Sequence, residues 1–319
     1  MSCQASIGIG SLPNMLHSRA EPPILFLTGC SGQLGFELRR SLAPLGRVIA
    51  PDRVGCDLRN PEAIQRAMRM YRPAVVINAA AYTAVDRAEN DVEVAFAVNA
   101  QAPQVLAEEI AAIGGLLVHY STDYVFDGDK PTPYVETDVT RPLSVYGSSK
   151  LAGEQAIAGT GATALIFRTS WIAGAHGQNF AKTILALARE SEHLDVVADQ
   201  YGAPTTASLV ADVTAQIIAR HWLFGDRAIF PSGIYHLCAS GEATWHSYAV
   251  EVLRYARLRG SVLKTEPGCV NAVSVAAHHS LTRRPSNSRL DTRKLQHTFG
   301  ICLPDWREGM QHLLDQVLP

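Results

Sequence analysis

Ile24-Leu-Phe-Leu-Thr-Gly-Cys-Ser-Gly-Gln-Leu-Gly-Phe-Glu-Leu-Arg-Arg-Ser-Leu42 decides how the chain is read. The apolar run Ile24 to Leu27 has the composition of a strand buried on both faces. A glycine turn follows at once, and Phe36 to Leu42 then reads as helix. Strand, glycine turn and helix in this order open a Rossmann unit. Glycine permits the tight turn and the close backbone approach, and the helix N-terminus faces the pyrophosphate of a dinucleotide. The spacing is Gly-x-x-Gly-x-x-Gly over Gly29, Gly32 and Gly35 rather than Gly-x-Gly-x-x-Gly. Glycine also punctuates ordinary turns, so the flanking strand and helix carry the assignment.

The alternation continues outward. Arg47 to Pro51 reads as a second strand ending at Asp52-Arg53, Pro61 to Tyr71 as a helix, and Ala74 to Asn78 as a third strand running into Ala79-Ala80-Ala81. Val92 to Ile113 is a further helical region, and Leu116 to Tyr120 a further strand ending in Ser121-Thr122-Asp123-Tyr124. Strands separated by helices pair in parallel, so the fold class is α/β, a doubly wound parallel Rossmann sheet. Ligands of such sheets bind beyond the carboxyl ends of the strands, where Gly32, Asp52, Ala81 and Thr122 converge. Residues 23–172 form the dinucleotide-binding domain, which about 205–240 rejoins through the helical stretch Leu209 to His221. The less regular remainder of 173–319 forms a smaller C-terminal substrate-binding domain.

Composition narrows the partners. With 28 basic and 30 acidic residues and a formal net charge of -2, electrostatics give no case for nucleic acid or an anionic membrane. No apolar run is long enough to span a bilayer, and the chain start lacks the pattern of a secretory signal, which reads as a cytoplasmic protein with a small-molecule partner. Cys3, Cys30, Cys56, Cys238, Cys269 and Cys302 are scattered without metal-ligand spacing, so reduced thiols are expected. His278-His279 reads as loop. Residues 1–22, rich in Ser, Gly and Asn and closed off by Pro22-Pro23, read as a mobile extension.

Two chemical signals stand out. In Arg141-Pro-Leu-Ser-Val-Tyr-Gly-Ser-Ser-Lys150, Tyr146 and Lys150 are four apart, which on a helix puts both on one face and the ammonium beside the phenol. That arrangement favours the ionised phenol and marks Tyr146 as a candidate general acid. At the second strand end, Asp52 suits a ribose 2'-hydroxyl, whereas Arg53 suits the 2'-phosphate of NADP or, equally, is a solvated surface charge. Both NADPH and NADH therefore stay open. Asp57 and Leu58 fall where the adenine edge is held. Arg283, Arg284 and Arg289 form a basic group able to face a diphosphate.

Longer segments carry a family resemblance. Asn78-Ala-Ala-Ala-Tyr-Thr-Ala-Val-Asp86, His119-Tyr-Ser-Thr-Asp-Tyr-Val-Phe126, Phe167-Arg-Thr-Ser-Trp171, Asn179-Phe-Ala-Lys182, Asp199-Gln-Tyr-Gly-Ala-Pro-Thr205 and Arg284-Pro-Ser-Asn-Ser-Arg-Leu290 resemble the dTDP-4-dehydrorhamnose reductases of the extended short-chain dehydrogenase/reductase superfamily. The likeness runs from about residue 24 to 318. It implies an oxidoreductase that uses NADPH or NADH to reduce the C4 keto group of a dTDP-sugar, with Thr122, Tyr146 and Lys150 as catalytic triad. It puts Gly32, Gln33, Leu34, Asp52, Asp57, Leu58, Ala81, Tyr82, Thr83, Tyr146 and Lys150 on the cofactor, alongside the Gly29, Gly35 and Arg53 already named. It puts Thr122, Asp123 and Trp171 on the nucleotide sugar, where Arg289 joins them.

Some members of the family hold Mg2+ between glutamates at a homodimer interface. Glu37 and Glu190 match two of those positions, but Gln316 stands at the third, and a missing carboxylate weakens a hard-cation site. Two rival functions are a nucleotide-sugar 4,6-dehydratase or epimerase, and a non-catalytic binding homologue. Against the first, Asp123 is followed by Tyr124, which leaves no second carboxylic acid to move protons. Against the second, Thr122, Tyr146 and Lys150 are all intact.

Overall fold

The computed structural model describes residues 21–277 and 282–318. Most of the expected N-terminal extension and His278-His279 lie outside the described residues. The first half runs β1 (Ile24–Thr28), α1 (Gln33–Leu42), β2 (Arg47–Ile49), α2 (Pro61–Tyr71), β3 (Val75–Asn78), α3 (Val85–Ala88), α4 (Val92–Phe96), α5 (Ala102–Ala112), β4 (Leu116–Thr122), α6 (Val145–Gly159) and β5 (Ala164–Thr169). The second half carries β6 (Ile172–Ala173), α7 (Phe180–Glu190), β7 (Leu194–Val197), β8 (Tyr201–Gly202), β9 (Thr205–Thr206), α8 (Ala207–Ile217), β10 (Gly233–His236), β11 (Ala243–Thr244), α9 (Trp245–Leu258), β12 (Val270–Val273), α10 (Arg293–Phe299) and α11 (Trp306–Val317).

Six strands form one sheet in the order β10-β5-β4-β3-β1-β2, and every neighbouring pair is parallel. The strands are apolar throughout because both faces are covered. Leu25, Leu27, Val75, Ile77, Leu116, Val118, Leu165 and Phe167 face α1, α8 and α10. Their alternates Phe26, Val76, Leu117 and Ile166 face α2, α5 and α6. This period of two within an unbroken hydrophobic run is the signature of a sheet between two helical layers.

The second half of the chain is divided between two cores. α8, β10 and α10 complete the main sheet and its flank, with Leu295 and Phe299 entering the core well beyond residue 240. α7, α9, α11, β7 and β12 build a separate core around Leu185, Tyr248, Val252, Trp306 and Leu313. The helices at the site are fixed by local signals. Asn60 caps α2 by accepting from Ala63 N at 3.1 Å, with Pro61 at the first helical position. Ser144 caps α6 by accepting from Gly147 N at 3.1 Å, which sets Tyr146 in the first turn. Among the described residues the cysteines are free thiols.

Candidate active site

A cleft of about 960 Å³ lies over the carboxyl ends of β1, β3 and β4. The chain leaves β1 toward β2 on one side and returns to β3 on the other, so the crevice is the topological switch point of the sheet. At its floor Gly29 has φ +71, and a Cβ there would stand 2.5 Å from Ala80 N. A Cβ at Gly35 would stand 2.0 Å from the Gly29 carbonyl. Gly35 therefore acts through the packing of α1 against the turn and does not line the cleft. Gly32 caps α1 with no side-chain hydrogen bond, which leaves the first-turn N–H groups available to an anion. The residues fit the diphosphate of a dinucleotide.

On the wall at the end of β2, Asp52 Oδ1 accepts from Val54 N at 3.0 Å and Gly55 N at 2.9 Å, so this carboxylate folds its own turn. Arg53 lines the same wall and is exposed. Asp57 is clamped by Arg59 at 2.6 Å; hydrogen bonds from Arg59 hold its carboxyl down at about 2. Arg59 is a second cation on this wall that the sequence reading passed over. Gln33, Leu34, Leu58, Ala81, Tyr82 and Thr83 also line the cleft. The Ala81–Thr83 stretch is held by Asn99, whose amide accepts from Tyr82 N at 2.8 Å and donates to the Tyr82 carbonyl at 3.1 Å. Asn99 sits in a wide helical turn, Ala97–Gln101, between α4 and α5. The sequence had shown only one continuous helical region there.

Thr122, Tyr146 and Lys150 come together where β4 meets α6. The Thr122 hydroxyl donates to Asp123 Oδ1 at 2.9 Å and neighbours the Tyr146 phenol. Burial pushes the Tyr146 phenol up to about 12, the neighbouring Thr122 hydroxyl opposes this, and the Asp123 charge adds to it. Lys150 corrects the sequence reading. It shares the helix face with Tyr146, but its buried amine turns to β4, donating to the Tyr120 carbonyl and standing 3.3 Å from His119 Nε2. In this arrangement the lysine does not lower the phenol. Burying an amine away from water costs several kcal/mol unless it finds an acceptor, and the strand carbonyl is that acceptor. Burial lowers Lys150 to about 8, with the Glu154 charge opposing. Glu154 is itself held by Arg168 at 2.6 Å and by Ser121 at 2.5 Å.

The opposite wall is aromatic. Trp171 adopts φ 48, a left-handed backbone that is strained for a bulky residue by roughly 1–3 kcal/mol. Its indole stacks on Trp245 with centroids 3.6 Å apart and planes 13° apart. A Cβ at Gly202 would lie 2.5 Å from Trp171 Cε2, so the absence of a side chain there makes room for the ring. Asp123 is buried on the cleft floor with its Oδ2 unpartnered, and burial raises its carboxyl to about 6 while the neighbouring Ser288 and Thr122 hydroxyls oppose. At the mouth Arg284 pairs with Asp86 at 3.1 Å.

Arg289 was expected on the sugar, but the structure spends it elsewhere. It bonds Glu242 at 2.8 Å and Asn287 Oδ1 at 2.8 Å and the Pro131 carbonyl at 2.6 Å, and it does not line the cleft. Glu37 lies on α1, largely buried and paired with Arg40 at 3.3 Å, and Glu190 ends α7. Among the described residues no group of three or more His, Cys, Asp or Glu could hold a metal. Arg284, expected to face a diphosphate, does line the cleft, and Trp245 lines it without having been expected there. Trp245 had no motif around it.

A family model described as the RmlD substrate binding domain matches residues 24–318. The dTDP-4-dehydrorhamnose reductase of Escherichia coli strain K12 is 46% identical over 297 residues, covering 92% of this chain and 97% of that protein. The enzyme of the same name from Burkholderia thailandensis is 46% identical over 283 residues, covering 89% and 95%. Among solved structures, the Bacillus anthracis dTDP-4-dehydrorhamnose reductase in complex with NADP superposes with a TM-score of 0.83 at 32% identity, covering 92% of this chain and 99% of that one.

Proposed function

The chain belongs to the dTDP-4-dehydrorhamnose reductase family, and from that premise we propose how its residues carry out the family's reaction. The enzyme uses NADPH or NADH to reduce the C4 keto group of dTDP-4-dehydro-L-rhamnose to dTDP-L-rhamnose, the last step of dTDP-rhamnose biosynthesis. The reduced nicotinamide supplies a hydride when bound. The protein supplies the proton and the geometry. Tyr146 donates its phenolic proton to the C4 oxygen as negative charge develops there, and Thr122 donates a hydrogen bond to the same oxygen. A phenol held at about 12 by burial remains fully protonated at neutral pH, as an acid must. Lys150 holds the ribose of the nicotinamide.

The observation that carries this reading is the junction of buried Thr122 and Lys150 with half-buried Tyr146 at the cleft floor. Gly29, Gly32, Gln33 and Leu34 hold the dinucleotide diphosphate, with Asp52, Arg53 and Arg59 around the adenosine ribose. Asp123, Trp171, Trp245 and Arg284 hold the nucleotide sugar, which the smaller domain around α7, α9 and α11 encloses. The reading extends to a cytoplasmic location, where reduced nicotinamide is regenerated, and to a homodimer. Mixing the protein with dTDP-4-dehydro-L-rhamnose and NADPH or NADH should consume absorbance of the reduced nicotinamide and yield dTDP-L-rhamnose. No oxidation with either cofactor would remove the reading.

A further inference from the structure

A second set of buried polar groups runs under the cleft. Thr28 Oγ1 donates to Asn78 Oδ1 at 2.6 Å, Asn78 Nδ2 meets His119 Nδ1 at 3.0 Å, and His119 Nε2 meets Lys150 Nζ at 3.3 Å. The chain crosses from β1 through β3 and β4 to α6, and its members are buried: Thr28 3%, Asn78 1%, His119 0% and Lys150 1% exposed. No step of the reduction uses Thr28, Asn78 or His119.

The polarity of this chain is constrained at every link. Lys150 can only donate while it is an ammonium, so His119 Nε2 must then be a bare acceptor and Nδ1 must carry the proton. Asn78 must in that case turn its carbonyl to His119 and its NH2 to Thr28. The arrangement with Asn78 Nδ2 facing Nδ1 requires the other tautomer, with a proton on Nε2. That proton suits a neutral amine and opposes an ammonium. Charge on Lys150, tautomer of His119 and orientation of Asn78 are thus one variable. We propose that His119 is the positioning residue for Lys150, its imidazole tautomer switching with the charge of the lysine and holding the ammonium form in place during turnover.

The other groups around the pair do not replace this contact. On α6, Glu154 favours the ammonium but is tied to Arg168 of β5 and to Ser121 of β4, and the Tyr146 ring packs edge-on against Tyr124. Asp123, beyond the end of β4, accepts from Thr122 through Oδ1. On β4 the Tyr120 carbonyl accepts from either form of the lysine. His119 is held well below the usual histidine range by burial and by the Lys150 charge, so it stays neutral and responds by tautomer.

The inference rests on the catalytic assignment of Lys150. The test is the pH profile of kcat for His119→Asn and His119→Gln, with NADPH saturating. A Gln carbonyl reaches the place of Nε2 and can still accept from Lys150; an Asn amide reaches only the place of Nδ1. His119→Asn should move the alkaline limb down by about one pH unit or more, the scale of one lost hydrogen bond to a charged group, while His119→Gln should leave the limb near that of the wild type. A purely structural histidine would lower kcat equally at all pH in both variants and move neither limb, which would overturn the proposal. A measurement on the unaltered protein stands beside these: 15N spectra of labelled histidine should show an imidazole that never becomes cationic yet exchanges its protonated nitrogen as pH passes the alkaline limb. A fixed tautomer across that range would equally overturn it. Lys150→Met separates the two levels. Retained activity in that variant would defeat the catalytic assignment itself, whereas an inactive Lys150→Met with an unmoved limb in His119→Asn defeats only the role of His119.

Discussion

The two walls of the cleft are built on opposite plans. The wall proposed for the dinucleotide comes from the ends of β1, β2, β3 and β4 in chain order, and much of it is backbone: a glycine turn, an uncapped helix start, the Ala81–Thr83 stretch. The wall proposed for the sugar is assembled from side chains that are far apart in the chain, with Trp171 after β5, Trp245 at the start of α9 and Arg284 near the C-terminal segment. The catalytic junction sits on the seam. A backbone-built wall tolerates side-chain change at most positions but fails where a Cβ intrudes. A wall of side chains should fail residue by residue, and only toward one ligand.

The largest expected effect falls on the seam. Tyr146→Phe keeps the ring and its T-shaped contact with Tyr124 and removes only the proton. Turnover should fall on the order of a hundredfold or more, while NADPH affinity by fluorescence titration stays within about twofold of wild type, because the nucleotide wall is untouched. Near-normal turnover would mean that another group supplies the proton.

Lys150 sharpens the contrast in another way, because its burial carries a stability signature. Its amine is lowered from 10.5 to about 8 on folding, so between these values the unfolded chain binds the proton that the folded one has released. Stability contributed by this group therefore rises with pH through that window, and the cost is borne in full below it. Two and a half pH units correspond to about 3 kcal/mol. In urea unfolding of wild type and Lys150→Met, the stability difference should shift in favour of the wild type by about that amount from pH 7 to pH 10.5. A difference that is flat with pH would show that the lysine is solvated in the native state.

The two plans also explain what the sequence could reveal. The glycine turn, the apolar strands and the helix from Pro61 to Tyr71 were legible because local rules and period-two burial specify them, and α2 begins and ends where Asn60, Pro61 and Arg72 dictate. Tyr146 and Lys150 were legible as a spacing, but the direction of the amine was not, since it depends on a carbonyl and an imidazole of another element. Asn99 was hidden for the same reason: a wide turn inside a helical pattern leaves no mark in composition. Arg289 looked like a phosphate ligand by its charge, and only tertiary contact with Glu242 and Asn287 shows it to be a brace. Trp245 needed the fold to bring it against Trp171.

Breaking the aromatic wall should be selective. Trp245→Ala removes the partner on which Trp171 stacks and leaves the strained Trp171 backbone without support. KM for the nucleotide sugar should rise about tenfold, in line with the roughly 0.5–1.5 kcal/mol of a stacked pair plus lost area, with NADPH affinity unchanged. If both ligands weaken together, the two walls are not independent and the second core props up the whole cleft.

The smallest effect is expected on the adenosine wall, where opposing charges meet. Asp52 would bond a 2'-hydroxyl and repel a 2'-phosphate, but its Oδ1 is already engaged by Val54 and Gly55, which blunts its discrimination. Arg53 is exposed on the same wall, and Arg59 is held by Asp57. Both cofactors should then serve within about one order of magnitude, or about 1.4 kcal/mol. Arg53→Ala should lower kcat/KM with NADPH by about tenfold and leave NADH almost unchanged, because only the phosphate loses a charge-assisted bond in a setting where solvent weakens it. Equal losses for the two cofactors would return Arg53 to the status of a solvated surface charge. A selective loss that appears only when Arg59 is also replaced would move the phosphate contact to Arg59, and with it the role of Asp57, whose clamp on that guanidinium would then be what the 2'-phosphate has to compete with.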